Sequence, residues 1–94
     1  MKIILLESGE SGELENNGQL VSTIIFSAEV NDVVTWVHVP KDIITHRWTE
    51  SSDVEKIAKM HRSEIESVIQ DNANRNNFFS PSGQPRAYLY NGML

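Results

Sequence analysis

Between Leu20 and Val39 the chain has little choice of structure. Two runs rich in β-branched and aromatic residues flank Asn31-Asp32, and both turn residues tolerate a left-handed backbone. With Asn31-Asp32 as the turn, Val30 lies opposite Val33, Ala28 opposite Thr35, Phe26 opposite Val37 and Ile24 opposite Val39. That set is almost wholly apolar. The other face carries Ile25, Ser27, Glu29, Val34, Trp36 and His38, a mixed set. A one-residue slip would exchange the two faces, so the register is strongly specified. One core face and one half-exposed face are the signature of an antiparallel sheet.

The rest of the chain arranges itself around this hairpin. Lys2–Glu7 reads as an N-terminal strand, Ser8–Glu13 as a polar loop holding Gly9 and Gly12, and Asn17-Gly18 as a tight turn of the type I′ kind. Pro40 suits the first position of a short helix over Lys41–Arg47, with Ile43 and Ile44 turned inward. After the polar break Thr49–Ser52, a capping box of Ser52 and Glu55 predicts one long helix running to about Asn72. Its apolar stripe is Val54, Ile57, Ala58, His61, Ile65, Val68 and Ile69. Glu55–Lys59 and Arg62–Glu66 are spaced for i, i+4 ion pairs. Phe78-Phe79 should anchor the chain after an asparagine-rich helix end. Ser80-Pro81-Ser82-Gly83 reads as a turn, and Arg86–Tyr90 as a last strand. The expected fold is α+β: one domain over residues 1–94, an antiparallel β-meander of about four strands, a short helix, and one long amphipathic helix packed on the sheet.

Composition narrows the function classes. The chain has no cysteine, which excludes disulfides, thiolate metal sites and a cysteine nucleophile, and fits a cytoplasmic setting. Net charge is −5, and the eight Lys and Arg form no cluster, which disfavours nucleic acid as a partner. The apolar run Ile3–Leu6 is shorter than a signal-peptide core of about 7–15 residues, and no segment approaches the ~20 apolar residues of a membrane span. No membrane partner is expected.

Phe26, Ala28, Val30, Asn31, Val39 and Ile44 occupy the places of a hairpin pattern F-x-A-x-V-[ND]-G followed by a short S-x-E-A-L helix. His61-Arg62-Ser63-Glu64-Ile65-Glu66 matches the second half of F-x-x-H-R-x-x-I-E, and Ser82-Gly83, Ala87–Tyr90 and Leu94 match a closing glycine turn, β-run and terminal leucine. In these features the chain from Phe26 to Leu94 resembles a small bacterial family of unknown function, family 1488. Asp32 stands where that family has the turn glycine and Ala58 where it places phenylalanine, while Arg47-Trp48 and the N-terminal third have no counterpart. The resemblance implies the fold and no activity.

No chemistry-grade motif is present. The three histidines, His38, His46 and His61, have no metal-ligand spacing, so neither a metal nor another cofactor is expected. Gly9 and Gly12 give a Gly-x-x-Gly spacing, but Glu10 and Glu13 beside them would repel phosphate. His61 reads either as a packed histidine bonded through one ring nitrogen or as a general base or ligand, and Arg62 either as an anchor for a carboxylate such as Glu66 or as a grip for a partner's anion. Trp36, His38, Trp48, Tyr88 and Tyr90 would form an interface anchor if they share one exposed patch. The alternative is that the second sheet face is covered by the N-terminal strand or the short helix. The leading expectation is a non-enzymatic interaction or regulatory module that binds a protein partner or itself. A second is a binder of a small, nucleotide-like anion gripped by Arg47, Arg62 or Arg86 in an intersubunit pocket, as in a regulatory or phage-encoded counter-defence protein. A third is an enzyme using His61 at the floor of an open cleft.

Overall fold

The computed structural model describes residues 1–81 and 86–94. The hairpin is as the sequence dictates. Strands β2 (Gln19–Val30) and β3 (Val33–Pro40) pair antiparallel with Val30 on Val33, Ala28 on Thr35, Phe26 on Val37 and Ile24 on Val39. Asn31 and Asp32 both take positive φ, 51° and 68°, which is the backbone of a type I′ turn. The second expected turn is also present. Asn17 and Gly18, at φ 52° and 79°, join β2 to β1 (Ile3–Asn16).

Strand β1 departs from expectation. Ser8–Glu13 is strand, not loop. It pairs with β2 through two register shifts, one between Leu5 and Glu7 and one between Ser8 and Ser11. These are β-bulges, and the second places Gly9-Glu10 against the single residue Ile25. Glycine is required there for space. A Cβ on Gly9 would lie 1.7 Å from the Ile25 carbonyl oxygen, and one on Gly12 would lie 2.4 Å from Ile25 Cδ1. The Gly-x-x-Gly spacing therefore records two close approaches to Ile25. Polar composition cannot reveal a bulge, because a bulge exists only relative to its partner strand.

The sheet is mixed rather than a four-stranded antiparallel meander. Its order is β1-β2-β3-β5-β4, with β4 (Phe78–Phe79) at the far edge and β5 (Ala87–Tyr90) inserted beside β3. β5 runs parallel to β3, with Ala87 on Trp36, Tyr88 on Val37 and Leu89 on His38. A parallel neighbour needs a crossover, and the helices supply it. The expected turn at Ser80-Pro81-Ser82-Gly83 extends into residues outside those described.

The single long helix is in fact two. After α1 (Lys41–Arg47), the chain forms α2 (Val54–Met60) and α3 (Arg62–Asn72), separated at His61, whose φ −109° and ψ 21° leave the helical region. The cap is also displaced by one residue. Asp53, not Ser52, accepts from the Lys56 N–H at 3.3 Å, and Ser51 Oγ accepts from the Asp53 N–H at 3.0 Å. The helices cover one sheet face. Ile24, Phe26, Ala28, Val37 and Val39 bury against Ile44, Ile57, Ala58, Ile65 and Ile69, with Trp48, Phe78 and Tyr90 completing the core. The expected inward turn of α1 is present, with Ile44 fully buried and Ile43 packed against the core.

The exposed edge of β1 is closed by side chains of α3. Glu66 Oε2 accepts from Leu5 N–H at 2.8 Å, and Gln70 Oε1 accepts from Ile3 N–H at 2.6 Å. Arg62 donates to the carbonyls of Leu5 at 3.0 Å and Leu6 at 2.6 Å, and Gln70 donates to Met1 O at 2.6 Å. Residues 62, 66 and 70 form one i, i+4 stripe, so a polar ridge of α3 stands where a further strand would pair. The expected Arg62–Glu66 ion pair gives way to these bonds. Glu55, likewise, accepts from Ser11 Oγ at 3.0 Å rather than pairing with Lys59.

Candidate functional site

The second sheet face is half covered and half open. Leu14 packs on Ala87 and Leu89 although β1 and β5 are not neighbours in the sheet. The far end of the β1–β2 hairpin therefore curls over this face, as the bulges in β1 favour. Under that cover lie Thr23 and His38, both buried, with Thr23 Oγ1 and His38 Nδ1 2.8 Å apart. Burial pushes the His38 pKa below its ordinary value, so the ring is neutral at pH 7.

Beyond the cover the face is open. Trp36 is 53% exposed and Val34 70% exposed on the middle strand of the sheet. Trp36 stands in a row that crosses four strands: Glu7, Ser27, Trp36 and Ala87. Its two neighbours in that row are small, so the indole rises from a low floor. Beside it, Glu7, Gly9, Glu10, Ile25, Trp36 and His38 line a groove of about 620 Å³. Gly9 belongs to the second bulge, so the device that bends β1 also brings Glu10 to this groove. Glu7 and Glu10 make no ion pair among the described residues.

The other candidate residues lie elsewhere. Tyr88 and Tyr90 share the face of Val37, opposite Trp36. Tyr88 stacks on Phe78 at 4.9 Å, and Tyr90 is fully buried with its hydroxyl donating to Met93 O at 2.7 Å. Burial also raises the Tyr90 pKa. Trp48 is buried and stacks on His61 with centroids 4.4 Å apart and planes within 10°. The Arg47 guanidinium lies 5.2 Å from the Trp48 ring centroid. The four aromatics and one histidine do not share one exposed patch, and of the five only Trp36 and His38 lie on the second face.

His61 packs its ring against the core residue Trp48, and it is bonded through both ring nitrogens rather than one. Nε2 bonds Glu50 and Nδ1 bonds Glu64 at 2.7 Å, so carboxylates occupy both ring nitrogens. The bond to Glu50, then that to Glu64, raises the His61 pKa, and the bond from His61 lowers that of Glu50. A ring held as imidazolium between two carboxylates has no free lone pair to act as a base. Arg62 is committed to the β1 carbonyls. Arg47, Arg62 and Arg86 border three different grooves. Among the described residues, no three His, Asp or Glu side chains are grouped as metal ligands, and no helix is long and apolar enough to cross a membrane.

Glu7, Gly9 and Glu10 were not candidates from sequence. The available signal was the pairing of glycines with glutamates, which reads as a phosphate-repelling loop until β1 is placed beside Ile25. No family model, curated protein or solved structure matches the chain, so the resemblance to family 1488 carries no residue role onto this surface.

Proposed function

We propose that this protein is a non-enzymatic interaction module whose binding surface is the open half of the second sheet face, centred on Trp36. The observation that carries this reading is a half-exposed tryptophan on a central strand, flanked by exposed Val34 and by a groove. Tryptophan is the residue type most enriched among energetically dominant interface contacts. A central strand fixes its backbone, so no main-chain ordering is needed for it to bind. The buried side of the sheet supplies stability independently, so the open side is free to serve recognition. Engagement of both His61 ring nitrogens argues against the enzymatic alternative.

The test is Trp36→Ala, with circular dichroism and thermal melting to verify the fold. Wild-type protein should retain a stoichiometric protein partner from host lysate after nuclease treatment, or self-associate in light scattering, and the variant should lose that association. Survival of every association in the variant would refute the assignment.

A further inference from the structure

Resting on the reading of Trp36 as the binding surface, we infer that the groove beside it receives a lysine or arginine side chain from a basic segment of a partner protein. Four observations support this occupant. Glu7 and Glu10 line the groove and have no ion-pair partner among the described residues. Trp36 is half exposed beside them, and an indole is the best aromatic partner for a cation. His38 adds no competing positive charge, because its buried ring is neutral at pH 7. Ile25 completes an apolar floor suited to the methylene stem of a long basic side chain.

The spacing agrees. Glu7 and Trp36 lie in one row two strands apart. Adjacent strands are about 4.8 Å apart, so their backbones are separated by roughly 10 Å. A basic side chain on the indole therefore has a carboxylate within reach of its charged end. The groove volume of about 620 Å³ exceeds one side chain and suits a short segment. Glu29, in the next row beside Val34, extends the negative rim. An uncharged or acidic segment would leave these carboxylates unpaired, and an acidic one would be repelled.

The full-length ¹⁵N-labelled protein would be titrated with a blocked decapeptide alternating Lys and Ser. Its Glu-for-Lys and all-Ser counterparts serve as controls. The lysine peptide should shift the Trp36 indole and Gly9 amide signals, and added salt should weaken it. The double variant E7Q/E10Q should bind it roughly 5-fold or more weakly, the sum expected of two exposed charge contacts. Equal binding by E7Q/E10Q, no shift at Trp36 and Gly9, or shifts of the same size from the Glu or Ser peptide would overturn the inference. The Gln variants keep side-chain volume, and an unchanged melting temperature separates lost recognition from lost fold. If associations abolished by Trp36→Ala survive E7Q/E10Q, the basic occupant is wrong and the interaction surface stands. If they survive Trp36→Ala as well, the surface itself is wrong.

Discussion

Gly9→Ala isolates the bulge that shapes the groove. No positive φ is recorded at Gly9, so alanine fits its backbone conformation and the obstacle is steric. The new Cβ would lie 1.7 Å from the Ile25 carbonyl oxygen, whereas real Cβ contacts essentially never fall below 3.0 Å. A backbone carbonyl cannot rotate aside, so β1 and β2 must part there. An opening of that size breaks ladder hydrogen bonds, whose useful N···O range ends near 3.2 Å. Each group left unpaired costs about 1–3 kcal/mol, and two flanking groups give about 2–6 kcal/mol. Restricting the unfolded chain returns about 0.4–1 kcal/mol. The net loss is about 1–5 kcal/mol, centred on about 3 kcal/mol, against a total stability of about 5–15 kcal/mol for a small domain. The melting temperature should fall by on the order of 15 °C. Gly12→Ala is the control. Its Cβ meets only the end of the Ile25 side chain, at 2.4 Å, which a rotamer change relieves. That change costs about 0.5–1.5 kcal/mol and the unfolded-state term nearly cancels it. Urea denaturation of both variants decides the matter. A Gly9→Ala loss no larger than that of Gly12→Ala would refute the bulge geometry.

Three further expectations concern the scaffold. Asp53→Ala should cost about 1 kcal/mol in chemical denaturation, and Ser52→Ala close to nothing, because Asp53 holds the cap. Glu66→Ala should cost about 1–3 kcal/mol by orphaning the Leu5 N–H, and light scattering should detect association through the uncovered β1 edge. The two perturbed histidines pull stability in opposite directions. His61, with a raised folded pKa, stabilises fully below its unfolded value near 6.5 and loses that contribution as pH rises through the folded value. His38, with a lowered folded pKa, contributes above about 6.5 and loses its contribution as pH falls through the folded value. Imidazole titrations by NMR should place His61 above and His38 below the ordinary value, and Glu50→Gln should lower His61.

What was legible in the sequence was local or periodic. The β2–β3 hairpin follows from alternation and an Asn-Asp turn, and the opposition of Trp36 to the core face follows with it. The asparagines after α3 also behave as their short amide side chains suggest. Asn74 Oδ1 accepts from the Asn76 N–H at 2.8 Å, and Asn77 Nδ2 donates to Asn72 O at 2.9 Å. What failed depended on distant partners. His61 is compatible with a continuous helix, and its departure coincides with long-range bonds to Glu50 and a stack on Trp48. The insertion of β5 beside β3 is a tertiary choice that strand propensity does not encode. Tyr88 and Tyr90 alternate as expected, yet the parallel register turns them to the helix side. The groove residues Glu7 and Glu10 were hidden for the same reason, because their neighbours Ile25 and Trp36 are brought to them by pairing alone.

The role of Trp36 is decided by the association state of Trp36→Ala beside that of wild type, by light scattering and nuclease-treated capture from host lysate. If Trp36 anchors the binding surface, association is lost while circular dichroism and melting temperature stay at wild-type values. A variant that retains wild-type self-association and every captured partner would contradict it.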